Sequence, residues 1–111
     1  MSITIAAIDC LHGRPAAGVL AQLERKDEHG WCPLSQDRTD DSGQITQWDP
    51  EPEIERRIYR VELDLDGYFA SLGIAPFMPT AVVSFRILDS LEPCRIAILI
   101  TPYACVANRV H

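Results

Sequence analysis

The chain has no surplus of positive charge. Its 10 Lys and Arg face 16 Asp and Glu, for a net charge of −6 and a pI near 4.9. The basic residues are scattered, so no stripe of cations is available to neutralise phosphates. Neither nucleic acid nor a membrane surface is expected as a partner. No apolar run approaches the ~18 residues needed to span a bilayer. The opening Ile3-Thr4-Ile5-Ala6-Ala7-Ile8 is short, lacks a basic lead and meets Asp9 at once, unlike a secretory leader. A cytoplasmic location follows as the expectation. Cys10, Cys32, Cys94 and Cys105 show no C-x-x-C spacing, and no histidine pair sits at ligand spacing. They are read as reduced thiols packing as small hydrophobes, and neither metal nor cofactor is expected. Repeats and low-complexity tracts are missing too. At 111 residues and 47 % hydrophobic, the chain is expected to be one domain spanning residues 1–111, with a core of its own.

What is present is strand. Ile96-Ala97-Ile98-Leu99-Ile100, bounded by Pro93-Cys94-Arg95 and Thr101-Pro102, is too short for a helix and rich in β-branched residues. Because side chains alternate across a strand, Ile96, Ile98 and Ile100 share one face as core. Arg95, Ala97, Leu99 and Thr101 share the other, which is smaller and begins with a charge, so it is expected to face a crevice or a subunit contact. Ile3 to Asp9 is a further strand, ended by Cys10-Leu11-His12-Gly13-Arg14-Pro15. Val19, Ala21 and Leu23 alternate with Gln22, Glu24 and Lys26 as a half-buried antiparallel strand. Trp31 to Leu34 reads as a short edge strand because of Pro33.

Asp37 through Gly43 is expected to be a loop whose glycine takes a positive φ. Its acids Asp37, Asp40 and Asp41 lack the spacing of a calcium loop and are taken as a solvated turn. Trp48 to Glu53, with two prolines and three acids, is an exposed connection. Tyr59, Val61, Leu63 and Leu65 then alternate with Arg60, Glu62 and Asp64. Asp66 is placed as the N-cap of a short helix that Gly73 closes. Val83, Phe85 and Ile87 point inward on a later strand. About seven strands with one helix make an all-β sandwich of two antiparallel sheets.

The order Ile8-Asp9, Gly13-Arg14-Pro15-Ala16-Ala17-Gly18-Val19, Trp31 with Pro33-Leu34, Thr39 to Gly43, Tyr59 to Asp64, Tyr68-Phe69, Leu72-Gly73-Ile74, Pro76-Phe77 and Ile96 to Tyr103 resembles the transthyretin and 5-hydroxyisourate hydrolase family along essentially the whole chain. The resemblance implies a transthyretin-like sandwich and a homotetramer, a dimer of edge-paired dimers around a channel lined by the first and last strands. Small molecules would occupy two sites there. It also implies a test of activity. The hydrolases carry a histidine on the first strand, an arginine after the glycine turn, a histidine heading the last strand and a terminal Tyr-Arg-Gly-Ser. Here those positions hold Ala6, Gln44, Arg95 and Asn108-Arg109-Val110-His111.

Hydrolysis of a cyclic acyl compound needs a base for water, a donor set for the oxyanion and an acid for the leaving group. Alanine supplies none of these, and an arginine with a pKa above ~12 cannot serve as the base. Two readings follow. In the first, a diverged enzyme opens or closes a small polar ring compound, with Arg95, His111 and Arg109 as catalytic residues and Ala6, Ile8, Gln44, Ala97, Leu99 and Asn108 lining the binding site. In the second, the protein is a transthyretin-like carrier of small ligands. Cys10, Cys94 and Cys105 are weighed as nucleophiles and set aside as packed thiols. His12 and His29 are assigned to solvated turns, Trp31 and Trp48 to rim or core, and Asp9 to holding backbone amides.

Overall fold

The computed structural model describes residues 2–110. Its strands are β1 (Ile3–Asp9), β2 (Arg14–Pro15), β3 (Leu20–Asp27), β4 (Gly30–Arg38), β5 (Gln44–Ile45), β6 (Ile58–Asp64), β7 (Thr80–Arg86), β8 (Cys94–Ile100) and β9 (Cys105–Val110), with helix α1 (Leu65–Ala70) between β6 and β7. One sheet has the order β2-β1-β8-β9, with β5 also on β1. The other has the order β4-β3-β6-β7. Every pairing is antiparallel except β1 with β8, which run parallel from Ile3↔Cys94 to Asp9↔Ile100. Thus the expected two-sheet sandwich with one helix is present, with one parallel seam inside it. No described helix is long and apolar enough to cross a membrane.

Periodicity decides the packing. Ile96, Ile98 and Ile100 are buried, as are Ile3, Ile5 and Ala7 on β1, and they meet Ala21, Leu23, Tyr59, Val61 and Leu63 from the second sheet in one contiguous core. Truncating a fully buried side chain such as Ile98 would cost about 2–5 kcal/mol. β8 lies between β1 and β9, the central position its apolar run implies. The strand β9 was not anticipated, because its residues are nearly all exposed and show no apolar period.

Several local expectations are corrected. Helix α1 is capped by Asp64, whose carboxylate accepts from the Gly67 amide at 3.0 Å, and Asp66 lies inside the first turn. Leu65 is therefore helical rather than the last residue of the strand. Gly73 does close the helix: at φ +78° it sits where the Gly73 amide reaches Ala70 O and the Ile74 amide reaches Phe69 O, the paired bonds of a left-handed C-terminal stop. The edge strand β4 is nine residues long and takes in Asp37 and Arg38. Glu24, expected on the wet face, is buried beside an irregularity between Leu23 and Glu24. There it accepts from Arg60 at 2.8 Å, and the Arg60 guanidinium lies 4.4 Å over the Trp31 ring. Trp48 is not part of an exposed connection: its indole is buried and donates to Ile3 O at 2.8 Å.

Asp9 ties the turn after β1 to helix α1. Completely buried, it accepts from the amides of Leu11 and His12, from the His12 ring at 2.7 Å and from the Tyr68 hydroxyl at 2.7 Å. It holds amides as expected, and it also draws His12 out of the solvated role assigned to it. Burial raises the Asp9 pKa, but the hydrogen bonds from Tyr68 and His12 outweigh it and leave the carboxyl below the ordinary carboxylate range. Burial, then the bond to Asp9 and its charge, push Tyr68 up to about 12, partly offset by Arg14.

Three measurements check this account. Asp64→Ala is expected to lower unfolding free energy by about 1 kcal/mol in denaturant titration, against less than about 0.5 for Asp66→Ala. Tyr68→Phe removes a donor from a buried charge and is expected to cost about 1–3 kcal/mol. Because the folded Tyr68 binds its proton more tightly than the unfolded chain, stability falls as pH rises from about 10 toward 12, by about 2–3 kcal/mol in all. Tyr68→Phe abolishes that alkaline loss. Asp9 has the opposite sign: its contribution is present above the ordinary carboxylate pKa and disappears as pH falls through the depressed folded value.

Candidate functional site

The outer face of the β2-β1-β8-β9 sheet, opposite the core, is built in rows. Residues paired across neighbouring strands share a face, so the register places Thr4, Arg95 and Val110 in one row. The next row runs Gln44, Ala6, Ala97, Asn108. Pro15, Ile8, Leu99 and Val106 form a third. Rows are ~7 Å apart along the strands and neighbours ~5 Å apart across them. Side chains on this face are half-buried or exposed. Seven of the residues singled out from sequence therefore come together: Ala6, Ile8, Gln44, Arg95, Ala97, Leu99 and Asn108.

Gln44 arrives by an unusual route. Its strand lies against β1 because Gly43, at φ +77°, passes so close that a Cβ there would stand 2.5 Å from Ala7 O. The Gly43 carbonyl accepts from Ala7 N at 2.7 Å. Asp40 shapes the approach by accepting from the amides of Ser42 and Gln44, each at 2.9 Å. Asp40 thus does turn work, and Gly43 has the positive φ expected of it.

Two candidates stand apart. Arg109 pairs with Ile96 across the β8/β9 ladder, so it faces the core side and not the Arg95 side. It lies 3.5 Å from Glu92. Together they rim a cavity of about 320 Å³ at the mouth between the edge strands β7 and β9, floored by Val83, Phe85 and Ile96. Sequence counting could not separate the two arginines, because the hairpin register that assigns their faces is a tertiary fact. His111 lies outside the described residues. All four cysteines are free. Burial pushes the Cys94 thiol up, with Arg109 opposing, and burial alone raises Cys105, which argues against either as a nucleophile.

Charge distinguishes the face. Arg95 is the only formally charged residue among the described strand positions on it, and no described carboxylate pairs with it. The opposite outer surface of the sandwich is instead densely charged with both signs, carrying Glu24, Glu62 and Asp64 together with Arg60 and Arg86. No described residue on the Arg95 face is a carboxylate, imidazole or thiol. Chemically, the face can hold an anionic oxygen at one end, hydrogen-bond a ring edge through Gln44 and Asn108, and offer an apolar floor at Ile8 and Leu99. The cavity between β7 and β9 opens between two unpaired edges, a geometry that suits chain pairing more than chemistry.

A sequence model of the HIUase/Transthyretin family matches residues 3–109. The 5-hydroxyisourate hydrolases of Salmonella dublin and Salmonella typhi are each 32 % identical over 101 residues, covering 91 % of this chain and 74 % of theirs. Among solved structures, sea bream transthyretin in complex with thyroxine superposes with a TM-score of 0.88 at 26 % identity, covering 97 % of this chain and 93 % of that one. A transthyretin from Sparus aurata gives 0.85 at 25 % identity, covering 97 % and 95 %. With the family match spanning nearly every residue and the sheet register placing Ala6, Ala97 and Arg95 on one open face, the chain belongs to the HIUase/Transthyretin family.

Proposed function

We propose that this protein binds a small, planar, anionic ring compound on the Arg95 face, within a channel made when copies of the chain bring these faces together. The observation that carries the reading is Arg95 itself: one cation that no described carboxylate engages, on a face otherwise uncharged among the described strand residues, in a chain whose net charge is −6. A guanidinium there can form paired charge-assisted hydrogen bonds to an oxyanion. Ala6 and Ala97 form a low floor on which a flat ring can lie, and Gln44 and Asn108 flank that floor with amides able to donate and accept.

Assembly into a tetramer is part of the proposal. Ile8, Val106 and Val110 are exposed on the face, and Phe77 and Tyr103 are exposed elsewhere on the surface. Apolar surface of this kind marks contact regions, and the open edges of β7 and β9 supply unpaired backbone for a second copy. The free thiols suit a reducing compartment such as the cytoplasm.

The hydrolase relatives favour a second reading, a diverged enzyme that opens or closes the bound ring. Arg95 would then hold the developing oxyanion. The proton transfers would require a group from beyond the described face, and His111 is the candidate named for that role. In the hydrolases the corresponding positions are read as histidine, arginine and histidine where this chain has Ala6, Gln44 and Arg95, so turnover of 5-hydroxyisourate by the usual arrangement is not expected.

Titration with urate, a stable planar monoanion, checks the main reading. Arg95→Ala is expected to weaken binding at least about 10-fold, with the far-ultraviolet spectrum unchanged. Arg109→Ala should alter it less than about 2-fold, since it lies on the opposite face. Equal losses in the two variants would overturn the assignment. In sedimentation velocity the native chain is expected at four copies, and Val106→Glu, which places a charge on the apolar end of the face, is expected to lower that to two. A spectroscopic assay of 5-hydroxyisourate decay separates the readings: acceleration that Arg95→Ala abolishes supports the enzyme, and binding without acceleration supports the carrier.

A further inference from the structure

The head row of the face contains one polar group with no assigned task. Thr4 is aligned with Arg95 in the parallel β1/β8 register, and Val110 flanks Arg95 on its other side. Thr4 is half-buried. The hydroxyls of Thr39 and Thr101 are engaged with the protein; those of Thr4 and of the exposed Thr46 and Thr80 make no hydrogen bond to any described residue, and of these three Thr4 alone lies on the Arg95 face. The Thr4 hydroxyl is not among the buried polar atoms left without a partner, so it is open to solvent, and beside a guanidinium that no described carboxylate engages it is free to share a ligand oxygen with it.

Resting on the anion-binding reading of this face, we propose that Thr4 is a positioning residue. Its hydroxyl donates to the same anionic oxygen that Arg95 holds, so that the site selects rings whose negative charge reaches an exocyclic oxygen. The geometry favours sharing. Thr4 and Arg95 lie on adjacent strands ~5 Å apart. The short threonine places its hydroxyl close to the sheet, while the long arginine reaches out over it. Val110 has nothing to donate, so the oxygen is drawn to the Thr4 side of Arg95. The ring is thereby directed over Ala6 and Ala97 in the next row. A neutral ring gains nothing from this pair of donors.

The test uses the full chain in its native assembly, with urate as the anionic probe and hypoxanthine as the uncharged one. Thr4→Val keeps the shape and suits a strand. It is expected to weaken urate binding about 3- to 10-fold, whereas Thr4→Ser restores it to within about 2-fold. In the Arg95→Ala background, Thr4→Val should add less than about 2-fold, because both side chains address one oxygen and their effects are not additive. Hypoxanthine affinity and melting temperature should not move with either Thr4 variant. If Arg95→Ala weakens urate binding and Thr4→Val does not, the inference about Thr4 fails while the anion site stands. Equal loss for urate and hypoxanthine in Thr4→Val would make the role structural and also overturn the inference. Failure of the native protein to bind urate, or native affinity in Arg95→Ala, would overturn the underlying reading of the face.

Discussion

The parallel register between β1 and β8 is the constraint on which the remainder depends. A strand has a side-chain period of two, so a slip of one residue would exchange its entire inner set for its outer one. Here Ile96, Ile98 and Ile100 are committed to the core, and the cost of exposing three such side chains, about 1.5–3 kcal/mol each, forbids the slip. Arg95, Ala97 and Leu99 must then face outward together. Because Ile3, Ile5 and Ala7 on β1 are committed in the same way, Thr4, Ala6 and Ile8 have no other face to take. The site is thus the complement of the core: its composition is free to vary, but its location is not.

Two devices hold the margins of that face in place. Gly43 lets the β5 segment approach β1 more closely than any residue with a side chain could, and this brings Gln44 level with Ala6. At the far end of β1, the buried Asp9 carboxylate gathers the turn at Leu11 and His12 and the helix through Tyr68. A buried charge is tolerable only when fully hydrogen-bonded, and four donors meet that condition. Neither device touches the outer face. Both act by fixing backbone, which suits a site whose elements are strands and not mobile loops.

How much of this could be read from residues alone follows from where each signal resides. The alternation in 96–100 and 59–65 is local and survives folding, so the core and the face of β8 were legible. So was the need for a glycine at position 43, since the Asp-Ser-Gly turn chemistry is local as well. The Asp64 cap was not, because Asp64 and Asp66 are both plausible caps and only the end of the β6 ladder against β7 decides between them. The role of His12 was not legible although its partner Asp9 is close in sequence, because only folding buries that carboxylate and brings the distant Tyr68 hydroxyl to share it. Strand β9 escaped notice for a related reason. Cys105 to Val110 has almost no buried face of its own, and its pairing with β8 also assigned Arg109 to the side away from Arg95. Identity of residue was readable there, and direction was not.

Magnitudes decide whether a single cation can recruit an anion to an acidic protein. At 4 Å and an effective dielectric of 20, an ion pair is worth about 4 kcal/mol before desolvation. A surplus negative charge about 15 Å away through water contributes under about 0.3 kcal/mol, and the ~8 Å Debye length at physiological salt reduces this several-fold further. Six such charges together therefore oppose binding by well under 1 kcal/mol. What matters is whether Arg95 has a carboxylate beside it, and no described one lies in reach. On the opposite surface Arg60 is already engaged by Glu24 and Trp31, and exposed Arg86 shares its face with the carboxylates of Glu62 and Asp64, so no cation there stands on an otherwise uncharged face. Local pairing, and not overall charge, thus determines which face can receive an anion, and assembly of several copies would strengthen the effect by excluding water from around the guanidinium.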